Sequence, residues 1–582
     1  MAKLKDFPIL DLTGGLTTDR ADNLMENNQL KDSLNLDLDE AGRLKRRRGM
    51  QQYGDTGSGL FDNSFLFWLQ TAGSPPSAYH LIATNAATSN IYRLVSTYTD
   101  AAITTATTTI TVNASGLFGN APGGNINING DIIAYGNNDG VGNFTTCTGI
   151  ARAHPAFSFV TQLRDEGAEA VNGQSGVYFA VLNNALYIQG ASGGVIFNGS
   201  TFVAVADTNE AAALFATNYR DRIYGAGSGA TDASGVRNGS PTRVSFTEAG
   251  DATNWGTYTV NYFDVEDNRG ESITSLQELN DTLLIFKQNS VFTYDEIQLK
   301  QTLWNVGAYN HRVIQRIGEL LYTFCPTGIW VTNGVSAQKI SEPIKKYLET
   351  FQPVFDASRK RVVTNCFAGT FQNKYYLYLT DLKEPESRDD VVLIYDTIKG
   401  NWTVHNGYTN FAHFASLKSF AQGAPLVSQQ RECLFAGDTD GKYFRLFDNR
   451  FADRETARQL RGSDIIPDTF SQTQLAVQTI AETKWYNIGT EPTQWAKLDR
   501  ISVLVEKGTF QVSYRLDKGD HMTDWISLGD FKAITTIKLK DNTGYRITFK
   551  ITSNERDVIP IFNGIILKGR ETIEQEKYGI NR

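Results

Sequence analysis

A strand-turn-strand unit recurs through the middle of this sequence, and it restricts the chain to folds that stack small sheets. The unit reads LIATNAATSNIYRL at 81–94, ALYIQGASGGVIFNG at 185–199, LLIFKQNSVFTY at 283–294, LLYTFCPTGIWVTNG at 320–334 and CLFAGDTDGKYFRLFD at 433–448. Related single strands lie at 222–225, 241–246 and 374–381, the last followed by DVVLIYDTIKGNWTVHN at 390–406. Each unit joins apolar or aromatic strands through a turn of Gly, Asn, Asp or Ser. Such a unit cannot bury both sheet faces alone, so neighbours must stack around an axis or against another layer.

Composition agrees: 25 Tyr, 33 Phe, 8 Trp and 51 Gly stand against 6 His and 4 Met, which favours short strands and tight turns. Helices are expected only at 209–215, 343–350 and 451–461. Within VVLIYDTIKGNW, Asp396 can accept hydrogen bonds from its turn while Trp402 packs between blades; RVSFTEAGDATNW, 243–255, repeats that order. The expected fold is all-β, a β-propeller core with an inserted small β domain and a C-terminal β-sandwich, with stacked sandwiches as the alternative. The expected boundaries are a strap and hairpin at 1–60, a first propeller part at 61–95, a Thr-rich insertion between the first and second blades at 96–150, the rest of the propeller at 151–466, and the sandwich with a charged tail at 467–582. In the sandwich ISVLVEKGTFQVSYRL alternates across a Lys507-Gly508 hairpin, and Trp485, Trp495 and Trp525 could cap the core.

With 582 residues and a net charge of -8, the chain is not expected to coat a duplex. No apolar run reaches membrane-spanning length and the start lacks a signal-peptide core, so cytosolic synthesis is expected. Cys147, Cys325, Cys366 and Cys433 form no CxxC pair, which argues against a disulfide framework or a thiolate zinc site. His80, His154, His311, His405, His413 and His521 are dispersed. Gly190 to Gly194 matches GxSxG around Ser192, but no helix follows as a nucleophile elbow requires. Asp264, Glu266 and Asp267, and Asp438 with Asp440, offer oxygen ligands of the kind calcium takes. No pair among 63 acids is selected as a glycosidase pair. The expectation is a chain that is not an enzyme, with no cofactor and no metal.

The N-terminus carries a further pattern. Leu34, Leu36 and Leu38 alternate with Asn35, Asp37 and Asp39, the period of a half-buried strand. Gly42 turns the chain, and Arg43, Lys45 and Arg47 then face opposite to Arg46 and Arg48. These basic residues suit a salt-bridged hairpin, a subunit interface or a nucleic-acid contact; the overall acidity favours protein carboxylates, and Arg43, Lys45, Arg46, Arg47 and Arg48 are the expected interface.

Gly14-Gly15, Asn35 and Asp37, Gly42 through Arg47 to Gly49, and Tyr53-Gly54 together resemble the opening of tail nozzle or hub proteins of short-tailed bacteriophages, and TGIWVTNGVSAQKISEPIKKYL, YDTIKGNW and LFAGDTDGKYFRLFD extend the resemblance over roughly 11–450. The resemblance implies a virion tail protein made in the host cytoplasm and assembled as a hexameric ring below portal and adaptor proteins. DNA would transit an acidic channel without sequence-specific binding, and tail fibres would attach outside. Gly14, Gly15, Asn35, Asp37, Gly42, Arg47, Gly49 and Gly54 would be its structural signature and not catalytic. The rival is a receptor- or glycan-binding β protein, including a glycoside hydrolase of a phage tail.

Overall fold

The recurrent units fold as the middle hairpins of antiparallel blades. In a computed structural model the described residues are 5–21, 24–55, 60–69, 77–84, 90–113, 118, 123–128, 131–168, 177–190, 193–207, 213–227, 240–257, 260–267, 269–355, 363–380, 382, 390–408, 410–419, 431–446, 477–488, 495–555 and 558–571. Ala185–Gly190 pairs with Gly193–Phe197, Thr282–Lys287 with Ser290–Tyr294, and Leu320–Cys325 with Gly328–Thr332. Each hairpin gains an inner and an outer strand, which gives six four-stranded sheets and one six-stranded sheet. Val391, Val392, Leu393 and Ile394 are all buried, because a central blade strand is covered on both faces and so reads as a continuous apolar run.

These seven sheets form a closed β-propeller among the described residues. Inner strands of successive blades lie side by side, the turn His311–Val313 filling the place between the fourth and sixth, and Phe411–Ser419 of the seventh blade packs on Phe61–Leu69 of the first. Radial closure covers the blade faces and leaves only a short outer strand of each blade as a sheet edge. The seventh blade takes its outermost strand from the N-terminal segment: Gln51–Asp55 pairs with Lys442–Leu446.

The expected turn chemistry recurs. Asp396 Oδ1 accepts from the backbone N–H of Ile398 and of Lys399, both at 3.0 Å. Asp295, Asn333 and Asn198 do the same in their blades. Trp402 is buried between the fifth and sixth blades and donates to the Ile340 carbonyl at 2.8 Å. Trp255 is buried near Tyr187 of the second blade, with 6.1 Å between ring centroids.

The Thr-rich insertion interrupts the first blade itself, a correction to its placement between two blades. Gly124–Ile128 and Asp131–Tyr135 extend that blade's sheet beyond Phe159–Ala168, while Thr109–Thr111, Asn137–Asn138 and Asn143–Thr145 make a separate small sheet. Ile103, Ile110, Ile126, Ile128, Ile133 and Phe144 form their common core.

The sandwich also differs from its expected boundary, because both ends of the chain build it. Lys5–Ile9 and Leu44–Arg46 pair with Ile561–Glu571, and Gln29–Leu34 pairs with Thr479–Thr483. Its core joins Leu30, Leu36, Leu38 and Leu44 to Ile501, Val503, Tyr514, Phe549 and Ile565. Of the expected helices, 343–350 is a 3-10 turn, Glu342–Ile344, running into the helix Lys345–Thr350. Phe215 instead begins a strand; 209–212 and all of 451–461 lie outside the described residues, as does Ser192.

Candidate functional site

Four of the N-terminal signature residues, Gly15, Asn35, Asp37 and Arg47, meet where the hairpin, the sixth blade and the sandwich join. Asn35 has φ of 56°, a left-handed conformation that Asn tolerates better than most residues. This kink corrects the simple alternation read through Leu34–Leu38: Leu34 turns into the propeller core, whereas Leu36 and Leu38 enter the sandwich core. Every polar group of Asn35 is used. Its N–H donates to the Val404 carbonyl at 2.8 Å and its carbonyl accepts from Arg47 N–H at 2.9 Å. Its Nδ2 donates to Asn406 Oδ1 and the Gln478 carbonyl, and its Oδ1 accepts from Asn406 N–H and Arg47 Nε.

Arg47 is buried there with its guanidinium 4.4 Å from the Tyr408 ring centroid and donates to the Asn406 carbonyl at 3.1 Å. Arg46 is buried as well and donates to the Val558 carbonyl at 2.8 Å. Arg46 and Arg47 therefore contact their own chain, a correction to the expected basic interface; burial and planar donor geometry suit Arg to saturating backbone carbonyls. Arg43 bridges Asp39 and Glu506, the latter at 2.6 Å. Lys45 is half-buried and Arg48 exposed. Asp37 lies 3.4 Å from His405 Nε2 and 3.9 Å from Lys374 Nζ. Burial alone would raise the Asp37 carboxyl, but Lys374, His405 and Arg47 hold it well below the usual carboxylate range. Burial keeps His405 below its ordinary value despite Asp37.

The signature glycines are places of close approach. A Cβ on Gly15, at φ of 68°, would stand 2.8 Å from the Trp402 carbonyl; one on Gly42, at φ of 75°, would strike Asp11. Gly14 packs on Asn28, Gly54 on Leu163, and Gly49 is buried just after the arginines.

A second cluster, which local spacing could not reveal, lies on the propeller axis. Arg312, leading into the fifth blade, donates to Asp62 of the first blade at 2.6 Å and to the Ala412 carbonyl of the seventh at 3.4 Å. Blades one and five are not neighbours, so this pair bridges the axis. Burial alone would lower Arg312, but Asp62 and Tyr178 hold it above its ordinary value. His311 stacks on Phe215 and bonds Ser275 at 2.9 Å; burial, aided by the Arg312 charge, pushes it down to about 3. His413 Nδ1 faces the Phe61 carbonyl at 3.1 Å, which can only accept, so Nδ1 carries the proton. Its Nε2 then accepts from Ser64 Oγ at 3.1 Å, and Ser64 accepts from Tyr443 at 2.9 Å. Ser64 and His413 stand at nucleophile–base distance, yet they are 6% and 1% exposed, which closes them to a substrate. Burial pushes His413 down to about 4.

The other candidate ligands serve structure. Asp264 pairs with Arg243, Asp267 with Lys287 at 3.0 Å, and Asp438 accepts from the N–H groups of Asp440 and Lys442. Among the described residues no group of three or more His, Cys, Asp or Glu could hold a metal ion. His154 faces Asp131 at 3.1 Å and His521 faces Asp520 at 2.8 Å. No helix among the described residues is long and apolar enough to cross a membrane.

No protein-family model and no curated protein matches this sequence. Solved structures do match, at low similarity. An extracellular domain from B. thetaiotaomicron is 9% identical with a TM-score of 0.24, over 85% of this chain and 48% of that one. PorZ of Porphyromonas gingivalis is 10% identical with a TM-score of 0.28, over 70% and 44%; this chain thus spans about half the length of either. An arabinoxylan arabinofuranohydrolase of glycoside hydrolase family 43 from Bacillus subtilis is 11% identical with a TM-score of 0.21, over 89% and 96%. An exo-β-1,3-galactanase from Phanerochaete chrysosporium is 8% identical with a TM-score of 0.22, over 67% and 95%. The expectation that the chain is not an enzyme is withdrawn, since glycoside hydrolases stand among these matches. At such identity and TM-score they carry no argument for any particular activity. The all-β class and the propeller rest on this chain's own sheets.

Proposed function

We propose that the chain is an assembly protein of a short-tailed phage tail, a nozzle or hub subunit whose N-terminal segment locks its propeller and sandwich into one wedge. One observation carries this reading: Asn35 and Arg47, with Asp37 and Gly15 beside them, are spent on a clasp between blade six, the hairpin and the sandwich. A subunit that transmits force around a ring needs such a fixed joint between its parts. In that assembly the acidic chain, at -8, would line a channel that repels phosphate. Negative-stain imaging of the purified protein, alone and mixed with tail adaptor proteins, tests it. Six-fold rings are expected, and a monomer in both samples overturns the proposal.

A second reading, a receptor- or glycan-binding protein, draws support from one specific feature. The outward sheet of the sandwich carries tryptophans interleaved with cations. Glycan-array binding of the intact chain tests this reading separately from ring formation.

A further inference from the structure

The strands Phe510–Asp517 and Arg546–Ser553 turn Val512, Tyr514, Leu516, Ile547, Phe549 and Ile551 into the sandwich core. Their alternate residues therefore form the opposite face. Directly paired positions lay one polar row across five strands of that face: Asp32, Glu482, Lys550, Ser513 and Ser527. Beside the row stands Arg515, its guanidinium 5.2 Å from the Trp485 ring centroid and 5.1 Å from that of Trp525. Arg546 lies 5.7 Å from Trp485, and Lys550 lies 6.0 Å from Trp525. Of the tryptophans expected to cap the core, Trp485 is buried and Trp525 half-buried, and both lie against cations of this face.

The cations in this stack are not equivalent. Arg546 is neutralised by Asp517 at 2.8 Å. Arg515 has no hydrogen-bond partner on its buried Nε, and the carboxylate that its charge acts on, Glu482, forms no salt bridge with it among the described residues. Both indoles lie close to its guanidinium, a group whose edge engages an anion through two parallel N–H bonds. Lys550, paired across strands with Glu482 and Ser513, supplies a second positive charge.

We propose that this face binds an acidic saccharide, with its carboxylate or sulfate on Arg515 and Lys550, its ring against half-exposed Trp525 and its hydroxyls on Ser513, Ser527 and Glu482. Aromatic faces suit the apolar side of a sugar ring. Nucleic acid fits less well because the face offers Arg515 and Lys550 beside hydroxyl and carboxylate groups, whereas tracking a phosphate chain takes a run of cations. The inference rests on the glycan-binding reading for its ligand and is independent of ring assembly.

Affinity electrophoresis of the full chain in gels containing polygalacturonate or chondroitin sulfate tests it, with neutral dextran and xylan and an oligo(dT) competitor as separate arms. Retardation by at least one acidic polymer is expected, weakened on the order of ten-fold or more by Arg515→Gln and also by Trp525→Ala. Lys550→Gln, on a half-exposed residue, gives a second variant should Arg515→Gln fail to fold by circular dichroism. Binding of neutral polymers alone would keep the glycan reading and overturn this one. No binding to any polymer overturns both. Retention of affinity in folded Arg515→Gln and Lys550→Gln, or full competition by oligo(dT), also overturns the site.

Discussion

At the scale of single residues, buried polar groups decide where the fold is vulnerable. Asn35 satisfies four side-chain hydrogen bonds while holding a left-handed backbone. Asn35→Ala is expected to cost about 2–4 kcal/mol, since it strands buried partners and adds conformational strain. Asn35→Gly removes the side chain but accepts the backbone, so urea denaturation should place it about 1 kcal/mol above the alanine variant. His413 gives a pH dependence. Its folded value, about 4, lies below the unfolded value of about 6.5, so the unfolded chain binds the extra proton between them. Stability from this group is complete above the unfolded value and is lost as pH falls toward the folded one. The unfolding free energy from urea denaturation should fall between pH 7 and pH 4, and in His413→Gln that fall should shrink by an amount on the order of 3 kcal/mol or less.

At the scale of elements, the blade seams carry the packing. Trp402 fills the seam between blades five and six and bonds the Ile340 carbonyl, so Trp402→Ala should cost about 3–5 kcal/mol by chemical denaturation. Its packing between blades was readable from sequence because an Asp turn and a following Trp share one short segment, whose hydrogen bonds are local. The hairpin arginines were misread for the opposite reason. Alternation gives the face of a residue but not what covers that face, and Arg46 and Arg47 are covered by Val558 and Asn406 from remote parts of the chain. The axial pair Asp62–Arg312 was likewise hidden, since its members are 250 positions apart.

At the scale of the whole molecule, both termini are built into shared structure, which couples the propeller to the sandwich. Calorimetry of the full chain should therefore show one cooperative transition, with calorimetric and van't Hoff enthalpies in agreement. A chain beginning at residue 60 should aggregate on gel filtration, because it exposes the edge of Lys442–Leu446 and removes Leu30, Leu36, Leu38 and Leu44 from the sandwich core. The sequence by itself determined the all-β class, the repeated hairpins and the turns, since apolar runs and Asx or Gly turns act over a few residues. Only the tertiary structure decided that the N-terminal segment closes the seventh blade, that the insertion splits the first, and that the sandwich is shared between the two ends. A sheet edge can accept any strand of suitable pattern, so pairing across hundreds of residues is fixed by packing and not by local periodicity.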